Sequence, residues 1–179
     1  MGQGPIGLIF TMLLKHKGIR TLATDTMAER RAMSERFGAE RCLNPKTADV
    51  AAACAALTDR RGADIVFVAA SAPGIVEQAI RATRPGAKIL LFAQTSDKER
   101  IDLSGKDICM GERIMFGSYS ADVDLQRVSA DLVFSGAIPV GELVSHCVGL
   151  EEISEGFNMA LHPTTESLKI VVRPQGHHQ

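Results

Sequence analysis

The stretch Gly2-Gln3-Gly4-Pro5-Ile6-Gly7 reads G-x-G-x-x-G, and the helix and strand patterns just downstream of it decide the fold. Ile6 is succeeded by Ile9, Phe10, Leu13 and Leu14, at three, four, seven and eight residues, the apolar stripe of a helix. Lys15, His16 and Lys17 fall at its end, where cations suit the helix dipole, and Gly18 offers a left-handed stop. Residues 19–24 then read as a short strand, so the glycine hexapeptide opens a helix that leads into a strand. In that setting the first glycine permits a tight turn, the second lets a pyrophosphate approach the backbone, and the third lets helix pack close to strand. Unpaired N–H groups at the helix start, aided by its dipole, favour an anion there. A buried strand normally runs into the first glycine, whereas only Met1 precedes Gly2, so the sequence is expected to be an N-terminally truncated piece of a longer protein.

The alternation continues along the chain. Thr26-Met27-Ala28-Glu29 has the capping-box pattern and predicts a helix to residue 37, stopped by Gly38. Residues 41–44 form a weak strand closed by Pro45, and Thr47 is placed to cap an alanine-rich helix over 48–58. The continuous apolar run at 64–70 reads as a strand buried on both faces. Pro73 suits the first turn of the next helix, which Arg84-Pro85-Gly86 ends, and 88–93 is another buried strand. Strands alternating with helices give βαβ units, hence an α/β fold with a doubly wound parallel sheet.

After residue 119 the rhythm changes to a helix over 122–134, a strand over 142–148, a helix over 151–161 and a strand over 167–172. These elements are too few for an independent domain. The expected organisation is a nucleotide-binding domain at 1–119 lacking its first strand, a C-terminal segment at 120–174 that belongs with a body outside the sequence, and a polar tail at 175–179 carrying His177 and His178.

Asp25 is the companion that gives the glycine loop its meaning. It ends the strand after the first helix, eighteen residues beyond Gly7, where a carboxylate accepts hydrogen bonds from the adenosine ribose hydroxyls. A carboxylate there repels a 2′-phosphate, so the expected cofactor is NAD rather than NADP.

Composition narrows the classes. Net charge is −1 with no long Lys or Arg run, which speaks against nucleic acid or an anionic membrane as partner. Apolar residues make up 45% and charged residues 23%, a globular balance. No apolar stretch reaches the roughly 20 residues that span a bilayer. The start has no signal-peptide pattern, and Ile6 stands where a myristoylation motif needs Ser or Thr. The expected location is cytoplasmic. Cys42, Cys54, Cys109 and Cys147 show no C-x-x-C spacing and are expected as buried, reduced thiols.

From Gly2 to Gly7 and Asp25 the sequence resembles the cofactor-binding Rossmann part of zinc-dependent medium-chain alcohol dehydrogenases, especially the sorbitol and threonine dehydrogenase branch. Ala23-Thr24-Asp25, Glu29-Arg30, Phe37-Gly38-Ala39, Ser71-Ala72-Pro73-Gly74 and Arg84-Pro85-Gly86 are similar in kind and order. So are Phe116-Gly117-Ser118-Tyr119, Leu150-Glu151-Glu152-Ile153 and Lys169-Ile170-Val171-Val172. The resemblance implies that Gly4, Pro5 and Ile6 hold the pyrophosphate, that Asp25 takes the adenosine ribose, and that Arg30 lies near the adenosine end. Ala70-Ser71 and Phe92-Ala93 would approach the nicotinamide side. Ser118 and Tyr119 would lie by the nicotinamide ribose or the domain cleft, and Lys169 would reach towards the cofactor.

The same resemblance implies oxidation of a secondary alcohol or polyol to a ketone, with a zinc ion polarising the alcohol oxygen. It also implies a homodimer or homotetramer paired through the strand at 114–117. The family's zinc ligands are a Cys, a His and usually a Glu near the start of the full-length enzyme, and none matches a residue here; Cys109, His146 and Cys147 have the wrong spacing. No catalytic residue is therefore assigned. The competing reading is a non-enzymatic or inactive dinucleotide-binding fragment. A zinc-free quinone reductase relative, of a kind that prefers NADP, is disfavoured by Asp25.

Overall fold

The structure is a computed structural model that describes residues 1–93, 100–120 and 122–174. It divides into two compact units, Met1–Asp122 and Val123–Gln179.

The first unit opens with helix α1 (Pro5–His16), which has proline at its first position, where the missing N–H costs nothing. Strand β1 (Leu22–Thr24), helix α2 (Ala28–Arg36), strand β2 (Arg41–Leu43), helix α3 (Val50–Leu57) and strand β3 (Ala63–Val68) come next. They lead into α4 (Ile75–Ala82), β4 (Thr83–Leu91), α5 (Gly105–Cys109) and β5 (Ile114–Gly117). All pairings are parallel, in two ladders of order β1-β2 and β3-β4-β5. α1 packs with α2 and α3 with α4, the grouping that right-handed crossovers give to the two faces of a doubly wound sheet.

The main core forms where α4 lies on β3 and β4, from Val66, Val68, Val76, Ala79, Ile80 and Ile89. α4 has a strongly one-sided apolar pattern, which is why it buries four of its eight residues. Phe10 of α1 stacks on Phe67 at 4.7 Å and meets Phe92 edge-on at 5.3 Å, anchoring the first helix to β3 and the chain after β4.

Several local expectations are corrected. Thr26 does not cap α2. The N-cap position falls at Met27 without a side-chain bond, because Asp25 already accepts the Met27 N–H. α3 is capped by Asp49, which accepts from Ala52 N at 2.9 Å, and not by Thr47. Pro73 lies outside α4, whose N-cap is Gly74 at φ 75°. α4 ends at Ala82, next to the expected stop at Arg84-Pro85-Gly86, and those residues pass straight into β4, where Arg113 donates to the carbonyl and hydroxyl of Thr83, both at 3.0 Å. Cys42 and Cys54 are buried thiols as expected, but Cys109, at the end of the short α5, is exposed and Cys147 half-buried. Nor is β3 buried throughout: Asp64 and Ile65 are exposed.

The second unit contains α6 (Val123–Phe134), a 3-10 turn (Val140–Leu143), β6 (Val144–Val148), α7 (Ile153–Leu161) and β7 (Lys169–Val172). β6 and β7 pair in parallel, and Gly156 lets α7 approach Val148 so closely that a Cβ would sit 3.0 Å from it. α6 buries none of its residues, and Phe134 and Leu161 are 88% and 73% exposed. The tail with His177 and His178 lies outside the described residues.

Candidate cofactor-binding site

The glycine loop is knitted to the ends of β1 and β3 by its backbone. Gly2 N donates to Thr24 O at 2.8 Å, Ala69 N donates to Met1 O at 2.9 Å, and the Met1 ammonium donates to Phe67 O at 2.7 Å. Each glycine meets a different demand. Gly2 sits at φ +82°, and a Cβ there would fall 2.5 Å from Ala70 Cβ. A Cβ on Gly7 would fall 1.8 Å from Gly2 O, so helix and loop touch only because it has none. Gly4 is different: its Cβ would meet nothing nearer than Arg30 Nη1 at 3.7 Å. The space in front of Gly4 is left clear by the protein itself, and α1 begins there without a side-chain cap and without an acid in its first turn. That is the setting in which helix N–H groups take a phosphate.

Asp25 organises the other wall. It is 8% exposed, its Oδ2 accepts Gln3 N at 2.7 Å and its Oδ1 accepts Met27 N at 2.8 Å. One carboxylate thus fixes the first residue between the glycines and the start of α2. Each oxygen keeps a lone pair beyond these bonds, so acceptor capacity for a hydroxyl remains.

Two residues of the site escaped the sequence reading. Gln3 is 3% exposed; its Nε2 donates to Gly2 O at 3.0 Å and its Oε1 lies 2.9 Å from the Thr11 hydroxyl. That hydroxyl also lies 3.1 Å from Gly7 O, so its single proton ties the helix to the loop at either point. The signal was a threonine four residues after Gly7, the spacing at which a helical hydroxyl reaches back to a carbonyl.

The remaining expected residues gather at the same ends of the strands. Ala70 lies against Gly2. Phe92 N and Ala93 N both approach Val68 O at 3.0 Å, and Ser118 N donates to Leu91 O at 3.2 Å. Ser71 and Tyr119 are exposed, Tyr119 by 86%. Lys169 stands on β7 in the second unit, apart from this set in the chain. Among the described residues no group of three or more His, Cys, Asp or Glu could hold a metal ion, so these residues do not fit a zinc centre. No described helix is long and apolar enough to cross a membrane.

A parallel α/β sheet with a glycine loop at the carboxyl ends of its strands, a helix start left clear behind it and an acid at the end of the next strand defines the class of Rossmann-type dinucleotide-binding domains. The chain belongs to the zinc-binding dehydrogenase family, whose profile matches residues 5–134. It is 27% identical to the (R,R)-butanediol dehydrogenase of Neisseria gonorrhoeae, over 97% of this chain and 49% of that protein. It is 26% identical to the sorbitol dehydrogenase of Bacillus subtilis, again over 97% and 49%. Among solved structures, a zinc-binding dehydrogenase from Sinorhizobium meliloti bound to NADP superposes with a TM-score of 0.87 at 26% identity, over 97% of this chain and 51% of that one. The chain spans about half the length of the curated relatives it matches.

Proposed function

We propose that this chain is the cofactor-binding part of an NAD-dependent, zinc-type dehydrogenase that oxidises a secondary alcohol or polyol to a ketone. The observation that carries the reading is the pairing of a space left clear in front of Gly4 with the Asp25 carboxylate held by Gln3 N and Met27 N. In this reading Gly4, Pro5, Ile6 and the first turn of α1 take the pyrophosphate. Asp25 accepts from the adenosine ribose, and Arg30, beside Gly4, flanks the adenosine end. Ala70, Ser71, Phe92, Ala93, Ser118 and Tyr119 border the nicotinamide side. NAD supplies the hydride acceptor when bound; the protein's part is to bind, orient and select it.

Selection rests on charge. A 2′-phosphate brought to Asp25 would meet a carboxylate whose position two backbone N–H groups fix, so it cannot turn away without breaking both bonds. Calorimetric titration of the purified chain is expected to give tighter binding of NAD than of NADP; tighter NADP binding would overturn the assignment.

Zinc, and with it the polarisation of the alcohol, finds no ligand group among the described residues, and the isolated chain is expected to have no alcohol dehydrogenase activity. Zinc-dependent NADH production by purified material would overturn that expectation. The full protein is proposed to act in the cytoplasm as a homodimer or homotetramer joined through β5, which among the described residues pairs only with β4 and exposes Ile114 and Phe116.

A further inference from the structure

The two hydrogen bonds of the Asp25 carboxylate differ in reach. The one to Met27 N is local and travels with the start of α2, whereas the one to Gln3 N, at 2.7 Å, fixes the carboxylate relative to the glycine loop. That donor belongs to the Gly2–Gln3 peptide, whose carbonyl and N–H point in opposite directions because the unit is planar and trans. Gly2, with no Cβ and a φ of +82°, does little to hold the plane. The hold comes from the far side. Gly2 O accepts Gln3 Nε2 at 3.0 Å, and Gln3 Oε1 lies 2.9 Å from the Thr11 hydroxyl inside α1. A carbonyl only accepts, so the Gln3 amide must turn its nitrogen to Gly2 O and leave its oxygen to Thr11.

Both side chains are buried, Thr11 to 1% exposure. Two apolar side chains of the same shape would fill this volume about as well, because a buried hydrogen bond mostly replaces one that water supplied. What the polar pair adds is direction. It keeps Gly2 O turned towards Thr11 and α1, and therefore Gln3 N turned towards Asp25.

We infer that Gln3 and Thr11 are positioning residues for recognition of the adenosine ribose: through the Gly2–Gln3 peptide they hold the Asp25 carboxylate where it accepts from the ribose hydroxyls. They thereby set the preference for a cofactor that carries those hydroxyls. This role rests on the cofactor reading above, in which Asp25 takes the ribose. In that reading the pyrophosphate sits on the first turn of α1, whose N–H groups lie outside the Gly2–Gln3 peptide. Loss of the lock should therefore fall on the ribose and spare the phosphates.

The test titrates the full 179-residue chain calorimetrically with NAD and with the NAD analogue that lacks both hydroxyls of the adenosine ribose. The unsubstituted chain is expected to bind NAD at least about tenfold more tightly than the analogue, the size of a hydrogen bond to a charged acceptor. Gln3→Met and Thr11→Val keep the bulk and lose the bonds; they should bring that ratio below about threefold and leave affinity for the analogue within about twofold. Thr11→Ser restores the hydroxyl and should keep the original ratio. An unchanged ratio in Gln3→Met and Thr11→Val would overturn the inference and leave the cofactor reading standing. Equal losses for both ligands would also overturn it, since a pair that merely supports the loop weakens every ligand alike. So would a collapsed ratio in Thr11→Ser. Should Gln3→Met fail to fold, the two Thr11 variants decide the matter. An unsubstituted chain that treats the two ligands alike, or binds neither, would overturn the cofactor reading and this role with it.

Discussion

The space between β1 and β3 has two parts built on opposite principles. At the carboxyl end, Met1 to Gly7 are held by polar closure: backbone bonds to Thr24, Phe67 and Ala69, the Asp25 carboxylate on Gln3, and the Gln3 and Thr11 side chains between loop and helix. Away from that end, apolar side chains from α1, α3 and both strands surround a cavity that Arg20, Glu40, Arg61 and Asp64 also line. A hydrogen-bonded loop can be specified by a handful of partners within reach, whereas an apolar slot is specified only by what fills it. The binding loop is therefore ordered even where the sheet beneath it is divided.

The largest effect should come from the polar end. Gly7→Ala places a methyl within van der Waals overlap of Gly2 O and is expected to cost about 3 kcal/mol or more, read as a lowered urea midpoint. Asp25→Ala releases two backbone N–H groups that now donate to a carboxylate. It should cost about 2 to 3 kcal/mol and weaken NAD binding, measurable by denaturation and calorimetry on the same sample.

The third prediction links the two parts. Burial holds the Met1 ammonium at about 6, below its usual 8.0, because the charged amine loses its water. The folded state thus binds fewer protons than the unfolded one between pH 6 and 8, so stability rises with pH through that window and is lost as pH falls. At about 1.4 kcal/mol per pH unit, and allowing for Met1 being only half-buried, the span is about 2 kcal/mol. An N-terminal extension that turns this amine into an amide should flatten the slope in urea midpoints taken at about pH 6, 7 and 8.

The smallest effect on stability belongs to Gly4→Ala. Its methyl meets no protein atom nearer than 3.7 Å, so the fold should change by less than about 1 kcal/mol. NAD affinity should nonetheless drop at least tenfold, because in the proposed reading that volume takes the pyrophosphate. A stable variant with undiminished affinity would place the phosphate elsewhere.

The alternation of strands and helices was legible because amphipathic period and glycine breaks are local: α1 and α6 lie within a residue or two of their expected bounds. What escaped depended on competition between neighbours. Thr26 offered a cap, but the Asp25 carboxylate reached Met27 N first. Thr47 was a fair N-cap until Asp49, two residues later, took the position. Arg84-Pro85-Gly86 look like a helix stop by composition, and α4 does end at Ala82, but that they also open β4 depends on partners far along the chain, Asp64, Gly111 and Arg113. In the candidate site, Asp25 stood out by spacing, while Gln3 passed as an arbitrary residue between glycines because its partner Thr11 is met only after the helix turns back.

The bond from Met1 to Phe67 spans 66 residues, and that from Gly2 to Thr24 joins the same loop to a strand formed earlier in the chain. Closing the longer of these loops requires β3 to be in place, and the chain entropy of that closure is met only after β1, α2, β2 and α3 have been laid down. The glycine loop is thus among the last parts of the unit to assemble. Substitutions at Gly2 should accelerate unfolding while leaving the folding rate nearly unchanged.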